Sequence, residues 1–222
     1  MFNAYLRQIL SRGHAIEYFV EGGRSRTGRL LAPKAGMLAM TVSAYVQKPR
    51  LPVVFIPVYF GYEKLIEGNS FISEMGGAAK QKESLFGLVR SIKSLKEYFG
   101  QVYVNIGEPI RLDALLDKHK RDWRDGNGDT DERPLWINEV IDELGETVMS
   151  EINAAAAVTP ISLLAYALLA TPKQSMGEQE LLSQLDLRKS LLKQIKYYDL
   201  VTVHDWTADE NIDHREKLNE II

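Results

Sequence analysis

The stretch LPVVFIPVYF, residues 51–60, constrains the fold more than any other part of the sequence. It is apolar almost without interruption and rich in β-branched and aromatic side chains. That is the pattern of a strand covered on both faces. Such a strand needs a layer on each side, and helical candidates flank it. Residues 2–12 have amphipathic spacing up to Gly13, KAGMLAMTVSAYVQ (34–47) has helical spacing and ends before Pro49, and residues 80–98 read as helix. Two further β-prone runs are AIEYFV (15–20), bounded by Gly13 and Gly22, and QVYVNIG (101–107). Strands separated by helices give an α/β fold, with a mixed or parallel sheet and flanking helices.

The character of the chain then changes. KHKRDWRDGNGDTDERP (118–134) is charged and broken by Asn-Gly-Asp, so an exposed loop is expected. From Leu135 onward helical spacing dominates, over 135–157, 161–170 and about 177–198. The expected organisation is part of an α/β domain at 1–117, an exposed polar loop at 118–134, and an incomplete helical region at 135–222 that stops in KLNEII without a cap. The longest apolar tract, AAAAVTPISLLAYALLA (154–170), carries Thr159, Pro160 and Ser162 at its middle. It falls short of the ~20 apolar residues a spanning helix needs, so two packed helices meeting at Pro160 are expected. Met1 opens directly on the amphipathic FNAYLRQIL, so no secretory leader is expected there.

Chemistry concentrates in EYFVEGGRSRTGRLLAPK (17–34). An apolar run ends in Glu21, a glycine pair follows, and Arg24, Arg26, Arg29 and Lys34 come next with no further acid among them. Glycines without a Cβ let backbone approach a ligand. Arginine forks bind phosphate oxygens in pairs, and Arg24 and Arg26 can reach one group from two directions if the loop curls. Glu21 can orient an arginine or accept hydrogen bonds from substrate hydroxyls. The pattern therefore favours an anion over a merely solvated basic loop.

Other readings fail on particular residues. GRSRTGRL (23–30) has P-loop glycine spacing, but Arg29 stands where lysine belongs and Leu30 where a hydroxyl must hold magnesium. The four histidines lack metal-site spacing, and cysteine is absent, so no metal site is expected. A net charge of −3 argues against nucleic acid as a partner.

These residues carry a resemblance. FVEGGRSRTGRLLAPKAGML (19–38), followed by VVFIPVYFGYEKLIEG (53–68), resembles two ordered motif blocks of the bacterial membrane-associated glycerol-3-phosphate acyltransferases. Phe19, Glu21, Gly22, Arg24, Ser25 and Arg26 match the first block without a gap, and Ile56, Pro57 and Val58 match the second. The likeness continues through GAAKQKES (77–84), FGQVYVNIGEPIRL (99–112) and PISLLAYALLATP (160–172).

The resemblance implies transfer of an acyl group from acyl-CoA or acyl-carrier protein to the sn-1 hydroxyl of glycerol 3-phosphate, with no further cofactor. It implies a peripheral position on the cytoplasmic face of the bacterial inner membrane. Glu21, Gly22, Arg24, Ser25, Arg26 and Pro57 become the substrate-binding residues, with the arginines on the phosphate and Pro57 fixing one wall. The family's general base is the histidine of an HxxxxD motif that precedes the arginine block. His14 is followed five positions later by Phe19 and does not fit. His204 and Asp209 have the spacing but lie on the wrong side of the block. The catalytic motif is thus expected upstream of Met1, and the chain reads as a fragment that is inactive alone. The alternative is a stand-alone degenerate acyltransferase that binds a glycerol phosphate or lysolipid without turnover.

Overall fold

The computed structural model describes residues 2–23, 25, 29–62, 101–125, 134–194 and 202–203. The chain divides into two compact units, Met1–Tyr59 with Ile106–Ala155, and Phe60–Asn105 with Ala156–Ile222.

In the first unit α1 (Phe2–Ser11) ends where Gly13 takes a left-handed φ of +75°. Helix α2 (Ala35–Gln47) stops two residues before Pro49, whose ring would clash with a further turn. Strand β1 (Val54–Phe55) pairs antiparallel with β4 (Ile110–Arg111), Val54 opposite Arg111 and Phe55 opposite Ile110. Helix α3 (Leu112–His119) follows β4 directly, and α4 spans Leu135–Ala154. Strand β2 (Val58–Tyr62) pairs with β3 (Val102–Ile106), and most of both strands belongs to the second unit.

The core of this unit is helical. Helix α4 buries Ile137, Val140, Ile141, Leu144 and Val148, the three-four spacing of one helix face. Helix α2 packs against both α1 and α4, so it buries residues on two sides, including Leu38, Val42 and Tyr45. Close approach of α2 and α4 depends on Gly145: a Cβ there would stand 3.1 Å from Pro33 Cγ and 3.4 Å from Leu38 Cδ1. Trp123 completes the core, fully buried and tilted against the Tyr45 ring at a centroid distance of 5.5 Å. Its indole N–H donates to Asp117 Oδ1 at 2.7 Å, so the polar edge is satisfied.

In the second unit β5 (Ala157–Val158) pairs in parallel with β6 (Thr202–Val203). Helix α5 (Pro160–Leu169) begins with a capping box: Thr159 Oγ1 accepts from the Ser162 N–H, and Ser162 Oγ accepts from the Thr159 N–H. Pro160 occupies the first helical position, where its missing N–H costs nothing. Helix α6 (Glu178–Leu192) packs Leu181 and Leu185 against Leu163, Leu164 and Ala167 of α5.

The structure is mixed α and β, as expected, but three local expectations are corrected. Residues 14–19 form no strand, and only Val20 of AIEYFV is buried. LPVVFIPVYF is not one strand covered on both faces: it breaks at Ile56–Pro57 into β1 and β2, and Leu51, Val54, Ile56 and Phe60 are exposed. Of the stretch 118–134 expected as an exposed loop, residues 126–133 lie outside the described residues, and the described start is more ordered than expected. Lys118 and His119 close α3, residues 121–125 form a turn, and Trp123 enters the core. The apolar tract at 154–170 resolves into the end of α4, β5 and α5, and α5 does start at Pro160. The expected helix at 80–98 lies outside the described residues. Among the described residues no helix is long and apolar enough to cross a membrane.

Candidate functional site

The candidate site is the segment between Val20 and α2, built on alternating side-chain directions. Tyr18 packs against the core, Phe19 is 79% exposed, and Val20 is buried again. Burial pushes the Tyr18 hydroxyl up to about 12, and Thr41 offsets part of that shift without reaching good hydrogen-bond geometry. The tyrosine therefore stays neutral at physiological pH and serves as an anchor for the loop's base.

Two hydrogen bonds close the loop above this anchor. The Lys34 N–H donates to the Val20 carbonyl at 2.7 Å. Glu21 Oε2 accepts from the Leu31 N–H at 2.8 Å. The one carboxylate of the segment is thereby engaged by backbone, leaving only cations along the loop. Gly22 makes the entry turn at φ +64°, and a Cβ there would stand 2.8 Å from Lys34 Cγ. Only glycine meets both requirements without strain.

The expected binding residues are distributed as follows. Glu21 and Gly22 form the neck of the loop. Ser25 is half-buried, and its hydroxyl has no hydrogen-bond partner among the described residues. Arg24 and Arg26 lie outside the described residues, as do His204 and Asp209. Arg29 and Lys34 are exposed. Pro57 is buried between β1 and β2, and its carbonyl accepts from the Gly107 N–H at 2.9 Å. No hydrogen bond among the described residues joins Pro57 to the loop.

Sequence reasoning missed what supports Pro57. A Cβ on Gly107 would stand 2.9 Å from the Glu151 carbonyl oxygen of α4, and Glu151 Oε2 accepts from the Glu108 N–H at 3.3 Å. The turn carrying Gly107 is thus pressed between Pro57 and α4. The signal for it was the Gly-Glu-Pro turn after β3, residues 107–109. Among the described residues no group of His, Asp and Glu side chains is arranged to hold a metal ion.

Comparison with known proteins agrees with the motif blocks. Residues 2–61 match a family model described as Acyltransferase, and residues 71–221 match one described as Glycerol-3-phosphate acyltransferase C-terminal region. The chain is similar to the glycerol-3-phosphate acyltransferase of Xanthomonas axonopodis pv. citri (strain 306), at 52% identity over 220 residues, 99% of this chain and 25% of that protein. The protein of the same name from Xanthomonas campestris pv. campestris is 51% identical, again over 99% of this chain and 25% of its own length. That of Pseudomonas putida (strain W619) is 45% identical over 99% of this chain and 26% of its own length. The chain spans about a quarter of the length of these curated relatives. With more than half of its residues matched by the second family model, the chain belongs to the glycerol-3-phosphate acyltransferase C-terminal region family.

Proposed function

We propose that this chain is the part of a glycerol-3-phosphate acyltransferase that holds the substrate's phosphate. The observation that carries the reading is the engagement of Glu21 by the Leu31 N–H at 2.8 Å. It closes a loop whose remaining charges are all positive, and a closed cationic loop suits a dianion. Arg24 and Arg26 bind the phosphate, Ser25 offers a hydroxyl to it, Glu21 and Gly22 set the loop's shape, and Pro57 fixes a wall of the site. Holding the phosphate fixes the sn-1 hydroxyl for attack, which is where positioning lowers the barrier.

In the reaction the hydroxyl oxygen attacks the carbonyl carbon of acyl-CoA or acyl-carrier protein. The carbon–oxygen bond forms and the carbon–sulfur bond breaks. The hydroxyl proton passes to a general base, which hands it on to the departing sulfur, so the thiol leaves protonated. That base belongs to an HxxxxD motif outside this chain, and no cofactor beyond the acyl donor takes part. In the longer enzyme the short strands join a mixed or parallel sheet flanked by helices. Its lipid product places it peripherally on the cytoplasmic face of the inner membrane.

Calorimetric titration of the 222-residue chain with glycerol 3-phosphate tests the reading. Binding weakened about tenfold or more in Arg24→Gln/Arg26→Gln is expected, in line with loss of charge-assisted hydrogen bonds. Unchanged binding in that variant overturns it. The chain alone is expected to show no turnover with acyl-CoA, and turnover abolished by His204→Ala would refute the external base.

A further inference from the structure

We propose that the first unit carries a second anion site, formed by Arg7, Lys48 and Arg50 and suited to a small soluble phosphate monoester. It shares no residue with the 21–34 loop and does not depend on the function proposed for that loop. A cavity of about 310 Å³ opens between α1, the end of α2 and the residues leading into β1. That volume is at the small end of ligand pockets, enough for a phosphate with a short organic body.

The chemistry of the lining is one-sided. Three cations line the cavity and no carboxylate does, in a chain whose net charge is −3. Among the described residues none of the three is ion-paired to an acid. Tyr45, Leu51 and Val53 supply the apolar part of the lining. Cations at this place have one ordinary explanation, since Lys48 and Arg50 follow α2 and compensate the negative end of its dipole. One cation in the last turn suffices for that. It does not account for Arg7, which comes from another helix and is held over the same concavity by its hydrogen bond to Gln47 Oε1 at 2.7 Å. That bond uses one of five guanidinium donors and leaves the others for a ligand. Three like charges gathered on one concave surface repel each other until an anion joins them, so the arrangement favours a bound dianion.

The test is titration of the ¹⁵N-labelled chain with inorganic phosphate, and separately with glycerol 3-phosphate. The readout is the amides of Tyr45, Lys48 and Leu51 at the cavity and of Gly22 and Leu31 at the loop. Saturable shifts at the cavity amides are expected, with a dissociation constant of about 1 mM or tighter. Lys48→Gln/Arg50→Gln is expected to weaken the cavity response about tenfold and leave the loop response unchanged. Both side chains are exposed, so the double variant keeps its fold. Arg24→Gln/Arg26→Gln is expected to do the reverse.

Cavity shifts that never saturate overturn the site, as do shifts reproduced by chloride at equal ionic strength or unchanged in Lys48→Gln/Arg50→Gln. Phosphatidylcholine vesicles containing phosphatidate form a third arm. A cavity response to those vesicles with none to the soluble phosphates overturns the assignment to a small soluble ligand. Loss of the loop response alone counts against the proposed function and leaves this site standing.

Discussion

The helical core of α2, α3 and α4 and the described non-helical segments at 14–23, 29–34 and 51–62 belong to neighbouring stretches of one chain, yet they use their apolar residues in opposite ways. In the core the large side chains are gone from solvent: Leu38, Leu112, Leu116, Leu144 and Trp123 are all fully buried. In the non-helical segments Phe19, Leu30, Leu51, Val54, Ile56 and Phe60 stand exposed. The reason is local against non-local satisfaction. A helix closes its own backbone hydrogen bonds and needs only one apolar stripe covered. A strand needs a neighbour for its ladder and a layer on each face for its side chains. The residues that look most like chemistry in the sequence therefore sit on the part of the molecule least supported by packing within the described residues. The curated relatives are about four times as long as this chain.

That contrast is sharpest at two aromatic residues. Trp123→Ala is expected to cost about 3–5 kcal/mol, because it removes a fully buried indole and leaves a cavity beside Tyr45. Phe19→Ala is expected to stay within about 0.5 kcal/mol, since its ring is 79% exposed. Urea unfolding of both variants measures the difference. Equal losses would show that the non-helical segment is packed as tightly as the core, and the comparison would collapse.

A smaller effect is expected where the two regions touch, at the turn after β3. Gly107→Ala forces a Cβ to within 2.9 Å of the Glu151 carbonyl, and backbone cannot step aside as a side chain can. A loss of about 1–3 kcal/mol follows from overpacking of this kind. Gly23→Ala meets nothing within 4 Å and is expected to be nearly neutral. A neutral Gly107→Ala would mean that the turn, and Pro57 with it, is held less firmly by α4 than the geometry indicates.

The same contrast explains what could be read from the sequence. The helices at Phe2–Ser11, Ala35–Gln47, Leu135–Ala154 and Pro160–Leu169 were legible to within a few residues, because spacing, Gly13, Pro49 and Pro160 are local signals. AIEYFV and LPVVFIPVYF record a preference for being covered, and that preference does not say by what. Trp123 was missed because its neighbours are charged and its core contact, Tyr45, is far away in sequence. In the candidate site the residue types were legible, and the clamp was not. Nothing in the order of residues announces that Glu21 reaches the Leu31 amide or that Glu151 supports the turn facing Pro57.

Glu21→Gln separates loop order from global stability. The amide oxygen still accepts from the Leu31 N–H, but without charge assistance the bond weakens by about 1 kcal/mol. Faster hydrogen exchange at the Leu31 amide, with urea midpoints barely moved, is the expected pair of results. A large drop in the midpoint would make the loop part of the core's cooperative unit.

The smallest expected effect concerns charge, and it belongs to the helical region. Glu143 of α4 receives Lys118 Nζ at 2.6 Å and His119 Nε2 at 2.7 Å from the end of α3, and these bonds hold its carboxyl below the usual glutamate range. Arg111 does the same for Asp113, and Arg124 with the Trp123 indole does so for Asp117. A carboxyl whose folded-state value is depressed binds its proton more readily in the unfolded chain. Its contribution to stability is complete above the unfolded value, about 4, and is lost as the pH falls through the lower folded-state value. These carboxyls face solvent, so the contribution is modest and screened by salt. The melting temperature of Glu143→Gln is therefore expected slightly below that of the parent at pH 7, and the two curves should converge as the pH falls through the lowered folded-state value of Glu143 and both side chains become uncharged. A gap that persists at low pH would assign the loss to packing between α3 and α4 instead of charge. The helical region would then owe its order to shape alone, which is the property that the non-helical segments lack.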